Sequence, residues 1–137
     1  KTEYYEEAWE LSGHRYARAK RTLGRRSYDK GNYADCIEQF REALHVQPVN
    51  PQLWYLTGVA CMRLERLDEA AEAFVRCCQQ QNRDEEFPEA YVNLGAIYVK
   101  QGDYSKAYNA FTESMRLNRD NWKVVENLML TTLVLGK

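Results

Sequence analysis

Apolar and small residues recur along this chain at helical spacing, in blocks separated by short turns of glycine, asparagine or charged residues. Three blocks share one pattern: Thr22-Leu23-Gly24, Leu56-Thr57-Gly58 and Asn93-Leu94-Gly95. Each glycine is followed sixteen residues later by a phenylalanine, Phe40, Phe74 and Phe111. A glycine inside a helix costs about 1 kcal/mol relative to alanine, so its recurrence demands a packing reason. Close approach supplies one, because a helix lacking a side chain there lets its partner sit almost against the backbone. The first two copies lie 34 residues apart and the third follows after 37. Such a period in an all-helical pattern predicts helical hairpins stacked side by side.

Placing the helical glycine eighth in each unit gives repeats at 17–50, 51–84 and 88–121, with partial repeats at 1–15 and 122–137. In the first full repeat Leu23, Gly24, Gly31, Tyr33, Phe40, Ala43 and Pro48 hold the key positions, and Cys36 stands in a slot for alanine. Its first helix is expected from about residue 16 to 30 and its second from about 33 to 47. Gly31-Asn32 makes the turn between them, since glycine enters the left-handed region without steric cost. Pro48 ends the pair. The second repeat opens on Pro51, harmless in a first helical turn. Its turn, Glu65-Arg66-Leu67, has no glycine and is expected to be slightly strained or differently shaped. About three extra residues fall within 81–87. The third repeat, with Tyr91, Leu94, Gly95, Tyr98, Gly102, Tyr104, Ala107 and Phe111, has the most regular pattern. The chain is expected to begin and end inside a repeat, as a fragment of a longer array, with Leu128, Met129 and Leu133 left to drive self-association.

With 137 residues, the chain has room for about four such units. Its 19 basic residues stand against 20 acidic ones, a balance unlike the basic surplus of a dedicated nucleic-acid binder. No apolar run approaches the roughly 18 residues that span a bilayer, and no membrane partner is expected. Cys36, Cys61, Cys77 and Cys78 lack CxxC spacing and a companion pair of histidines, so neither a metal nor another cofactor is expected. Three of them, Cys36, Cys61 and Cys77, read as small apolar packing residues, which suits a reducing intracellular compartment, cytoplasmic or also nuclear. No catalytic constellation emerges: neither His14 nor His45 has a nearby nucleophile in the repeat geometry, and no glycine-rich loop follows a strand. A non-enzymatic role is expected.

Ligand contacts are therefore sought on the first helix of each hairpin, which lines the concave surface of such a stack. There the first repeat presents Arg18, Arg21, Thr22, Arg25, Tyr28 and Asp29. Arg18, Arg21 and Arg25, spaced i, i+3, i+7, share one helical face. Arginine forks suit carboxylate or phosphate groups. The competing reading is a solvated face, neutralised by Glu3, Glu6, Glu7 and Glu10 on the preceding helix. The second repeat offers Gln52, Tyr55, Leu56, Val59, Met62 and Arg63, and the third Glu89, Val92, Asn93, Ala96, Val99 and Lys100. The partial fourth adds Lys123, Glu126 and Asn127. An apolar middle flanked by polar ends suits a peptide, and the Asn93 and Asn127 amides could pair with its main chain. Tyr33, Trp54, Tyr98, Tyr104 and the three phenylalanines are read as core.

These residues resemble the tetratricopeptide-repeat superfamily throughout, because glycine, alanine, phenylalanine and turn residues recur together in register. The resemblance implies an all-α fold, a right-handed superhelical solenoid of helix-turn-helix repeats, and a protein or peptide partner held in the concave groove. It does not extend to the five-residue carboxylate clamp with which many relatives hold chaperone C-termini. Asn93 and Lys123 fit that frame, but Tyr55 and Val59 stand where lysine and asparagine are needed, and Asn127 replaces an arginine. In the earlier frame Arg21 could substitute for the lysine, while Arg25, Leu56 and Glu89 break the pattern. A narrower resemblance, to the tetratricopeptide repeat protein 27 family, rests on Ala8-Trp9-Glu10-Leu11-Ser12, Ala17-Arg18-Ala19, Cys36, Phe74 with Arg76-Cys77, and Asn121-Trp122 with Glu126-Asn127. It implies a large intracellular protein linked to assembly of the U5 small nuclear ribonucleoprotein, and so ribonucleoprotein assembly partners. An RNA-associated module using the basic stripe is the alternative.

Overall fold

A computed structural model describes residues 2–82, 86–118 and 120–136. Among them lie eight α-helices and no strand: α1 (Thr2–Leu11), α2 (Ala17–Asp29), α3 (Tyr33–Val46), α4 (Pro51–Arg63), α5 (Leu67–Gln80), α6 (Pro88–Lys100), α7 (Tyr104–Leu117) and α8 (Trp122–Leu135). The chain groups into two compact units, Lys1–Ala73 and Phe74–Lys137, with the boundary inside α5. In the first, α2 packs on α1 and α3, and α3 on α4; in the second, α7 packs on α6 and α8. The expected end of the second repeat, at residue 84, lies outside the described residues.

In the first and third repeats the recurrent glycine and phenylalanine meet as packing partners. Gly24 and Phe40 are both buried, and a Cβ added at Gly24 would fall on the Phe40 ring at Cδ1 and Cε1. Gly95 stands in the same relation to Phe111, whose Cε1, Cζ and Cδ1 fill the space a Cβ would need. The helix thus gives up about 1 kcal/mol of propensity, and a full aromatic ring packs against its backbone. Phe40 and Phe111 are at most 1% exposed. Around Phe111, Ala107 and Val124 complete a core against which Val92, Tyr98, Met115 and Leu128 pack. Leu128 therefore does not join the exposed residues of α8: it stands on the side of the helix that meets α7, while Met129, Leu130, Leu133 and Val134 are exposed. Of the aromatics read as core, Phe40, Phe74 and Phe111 are buried, whereas Tyr33, Trp54, Tyr98 and Tyr104 are half-buried.

The turns close by one hydrogen-bond scheme. After α2, Gly31 N–H donates to the Tyr28 carbonyl at 3.0 Å and Asn32 N–H to the Ser27 carbonyl at 2.8 Å. After α6, Gly102 and Asp103 repeat it on Val99 and Tyr98 at 3.0 and 2.8 Å. The middle turn keeps the scheme without glycine: Glu65 and Arg66 donate to Met62 and Cys61 at 3.0 and 2.9 Å. Its geometry forces Glu65 to φ +57°, in the left-handed region where Gly31 and Gly102 sit at +79° and +78°. Side-chain caps begin three helices, with Asn50, Asp103 and Asn121 accepting from Leu53, Lys106 and Lys123 N–H.

The cysteines Cys36, Cys61 and Cys77 have no exposure and, like half-buried Cys78, carry free thiols. Burial pushes the Cys36 thiol up to about 12, with Cys61 and Asp29 adding to the effect. In the second unit burial raises Cys78 to about 11 against an opposing hydrogen bond from Tyr91, whose own phenol is raised by burial to about 12. The Cys36, Cys61 and Cys78 thiols stay neutral near pH 7, as packing groups rather than nucleophiles.

Candidate functional site

Helical spacing sets Arg18, Arg21 and Arg25 in one row along α2. The row faces the start of α4, where the segment after α3 returns the chain and Asn50 caps the new helix, its Oδ1 accepting from Leu53 N–H at 3.1 Å. Between them lies a pocket of about 280 Å³ lined by Arg18, Arg21, Thr22 and Arg25 of α2 and by Asn50, Gln52, Leu53 and Leu56. Thr22 turns its hydroxyl inward to its own helix, donating to the Arg18 carbonyl at 2.9 Å. The pocket is therefore lined by three guanidiniums, two amides, a threonine and two leucines.

Among the described residues none of these three arginines has an ion-pair partner. Arg18 and Arg25 are exposed, but Arg21 is half-buried and its Nε is shut from solvent with no hydrogen-bond acceptor. No ion pair joins this row to the glutamates of α1 among the described residues. The cations that turn toward α1 are Lys20, 5.2 Å from the centre of the Trp9 ring, and Arg26, 5.1 Å from Tyr5. Lys20 also pairs with Glu42 at 3.4 Å, Arg26 donates to the Thr2 hydroxyl at 3.4 Å, and Glu10 is taken by His14 at 3.1 Å.

Tyr28 is half-buried and meets Tyr33 edge-on, ring centres 5.6 Å apart. Burial raises its phenol pKa, Tyr33 adds to the shift, and Arg63 opposes it. Gln52 is exposed and lines the pocket, and Tyr55 and Val59 on α4 are half-buried. In the second unit Val92 packs against the Phe111 core, Asn93 and Asn127 are half-buried, and Lys123 is exposed at the first turn of α8. The structure thus brings Arg18, Arg21, Arg25 and Gln52 into one site. Asn50 and Leu53 complete it and were not singled out from sequence, although an asparagine directly before Pro51 is a readable cap signal.

A second pocket of about 320 Å³ lies between α1 and α3, lined by Trp9, His14, Arg41, Glu42, His45 and Val46. His14 is stacked on Trp9, ring centres 5.1 Å apart and nearly parallel. Among the described residues no cluster of three or more His, Cys, Asp or Glu could hold a metal ion, and no helix is long and apolar enough to cross a membrane.

Paired antiparallel helices with a glycine–aromatic contact repeated between them define an α-helical repeat protein. Tetratricopeptide-repeat models match residues 21–85 and 88–121. The chain belongs to the tetratricopeptide-repeat superfamily. It is 35% identical over 136 residues to a TPR repeat-containing protein of Schizosaccharomyces pombe, covering 98% of this chain and 16% of that protein. It is also similar to a tetratricopeptide repeat protein 27 homolog of Dictyostelium discoideum, 39% identical over 64 residues, 47% of this chain and 8% of that protein. The chain thus spans less than a fifth of the length of either relative. Among solved structures, MamA matches with a TM-score of 0.84 at 18% identity, over 98% of this chain and 77% of its own. The first TPR of Spaghetti (RPAP3), bound to an HSP90 peptide, matches with a TM-score of 0.75 at 20% identity, over 88% and 94%. At these identities the structural likeness establishes the fold alone.

Proposed function

We propose that this chain is part of a non-enzymatic protein-interaction scaffold that holds peptide or protein segments against the first helix of each repeat. The repeats are taken as 17–50, 51–84 and 88–121, with partial units at 1–15 and 122–137. In the first unit the binding face comprises Arg18, Arg21, Arg25, Tyr28, Gln52, Tyr55 and Val59; in the second, Val92, Asn93, Lys123 and Asn127. One observation carries the reading: the α2–α4 pocket combines three guanidiniums, unpaired among the described residues, with amides and two leucines. That mixture suits a peptide, whose acids, main chain and apolar side chains each find a partner. The peptide-bound Spaghetti domain supports it by analogy of fold. The likeness to tetratricopeptide repeat protein 27 supports a finer proposal, that the whole protein serves as an assembly factor for the U5 small nuclear ribonucleoprotein.

The test is affinity capture with the whole protein, carrying either the native stripe or Arg18→Glu, Arg21→Glu and Arg25→Glu together. Recovery of specific partners should fall at least tenfold in the triple variant while its helical circular dichroism is unchanged. Equal recovery would reduce the stripe to a solvated face. RNA is the competing ligand for the same arginines, and it requires affinity for a homopolymer that drops steeply with added salt.

A further inference from the structure

Three features of the α2–α4 pocket go beyond a general affinity for peptides. Among the described residues its arginines have no ion-pair partner, although the neighbouring cations Lys20 and Arg26 have found partners. Arg21 sits between the other two with Nε closed off from water and no acceptor within reach. That nitrogen is closed to an incoming ligand as it stands, but the half-buried Arg21 side chain lines the pocket, where its guanidinium can meet an acceptor from outside. Finally, α4 begins at the pocket, so its positive dipole end adds to the same field.

The spacing describes the visitor. Arg18 and Arg25 are separated by about 10 Å along the helix axis at 1.5 Å per residue, too far for one carboxylate to bridge as a single fork. An extended chain repeats same-side residues about every 7 Å, so acids at alternate positions can meet successive arginines. Leu53 and Leu56 supply the apolar part of the lining, on which an intervening apolar side chain or the stem of the central acid would rest. The walls are side chains that suit carboxylate and phosphate oxygens alike.

We infer that this pocket is a recognition site for an extended acidic segment inside a partner protein, with Arg21 receiving its central oxyanion, a carboxylate or a phosphate monoester. The inference rests on the peptide-scaffold reading above and names the chemistry of its occupant. It differs from capture of a chain terminus, since the acidic side chains supply the charge.

The experiment uses three fluorescein-labelled nonapeptide libraries, degenerate except for a central serine, glutamate or phosphoserine, titrated into the 137-residue chain. The glutamate or phosphoserine library should bind at least tenfold tighter than the serine library, and the stronger of the two identifies the oxyanion's source. Arg21→Gln should erase most of that preference. Arg18→Gln with Arg25→Gln, at exposed positions that the fold does not need, should reduce it as well. Equal binding of all three libraries would overturn the acidic-segment inference while leaving a peptide scaffold standing. A preference untouched in both variants would overturn it too, by placing the anion elsewhere. Absence of binding to any library would overturn both readings at once.

Discussion

Gly24 and Gly95 are the residues on which the hairpins close, because each leaves its helix bare where an aromatic ring lies against the backbone. Alanine at either place gains about 1 kcal/mol of helix propensity but must displace the Phe40 or Phe111 ring from a filled core, which costs about 1–3 kcal/mol or more. Gly24→Ala and Gly95→Ala are therefore expected to be net destabilising, and a urea midpoint at or above that of the native chain would refute the contact. Buried protons make a second prediction at this scale. Cys36 is raised from 9.0 to about 12, and Tyr91 from 10.0 to about 12, so the fold favours their neutral forms. That contribution is complete below the unfolded values and disappears as pH climbs through the folded ones. Stability should hold up to about pH 9 and then decline toward pH 12, as urea midpoints measured on either side of 9 would show.

Among the elements, the turn between α4 and α5 departs from its counterparts: Glu65 holds φ +57° where the equivalent residues are Gly31 and Gly102. A side chain in the left-handed region costs about 1 kcal/mol, whereas glycine there adds disorder to the unfolded chain. Glu65→Gly should stabilise by up to about 1 kcal/mol, read as a higher thermal midpoint, and a lowered midpoint would mean that the Glu65 side chain holds the turn. This strain was legible from the sequence, because a turn of fixed construction lacked the residue its backbone requires. So were the eight helices, whose starts at Pro51, Pro88 and Trp122 match the expected ones. The arginine row was legible too, since its spacing is local to one helix. Its far wall was not, because Asn50 and Leu53 reach the pocket only through the route taken after α3. Nor could composition reveal that Lys20 and Arg26 turn to Trp9 and Tyr5 while their three neighbours have no ion-pair partner among the described residues.

At the scale of the 137-residue chain, α8 carries a group of exposed apolar side chains. Met129, Leu130, Leu133 and Val134 are each at least 60% exposed, and Trp122 is 78% exposed at its first turn. Apolar side chains this close together on one helix expose a patch of the kind that marks interaction surfaces, since water around them is released when a second surface covers them. The other side of α8 is already committed, with Val124 and Leu128 packed against the α7 core. Replacing Met129 and Leu133 by glutamate should therefore leave the fold intact while removing the patch. In sedimentation experiments the 137-residue chain is expected to associate as its concentration rises, and the Met129→Glu, Leu133→Glu variant to remain monomeric with the same helical signal. Association that persists in that variant would move the contact to another surface. Loss of helical signal would show instead that these side chains support α8, with the patch as a consequence of its packing.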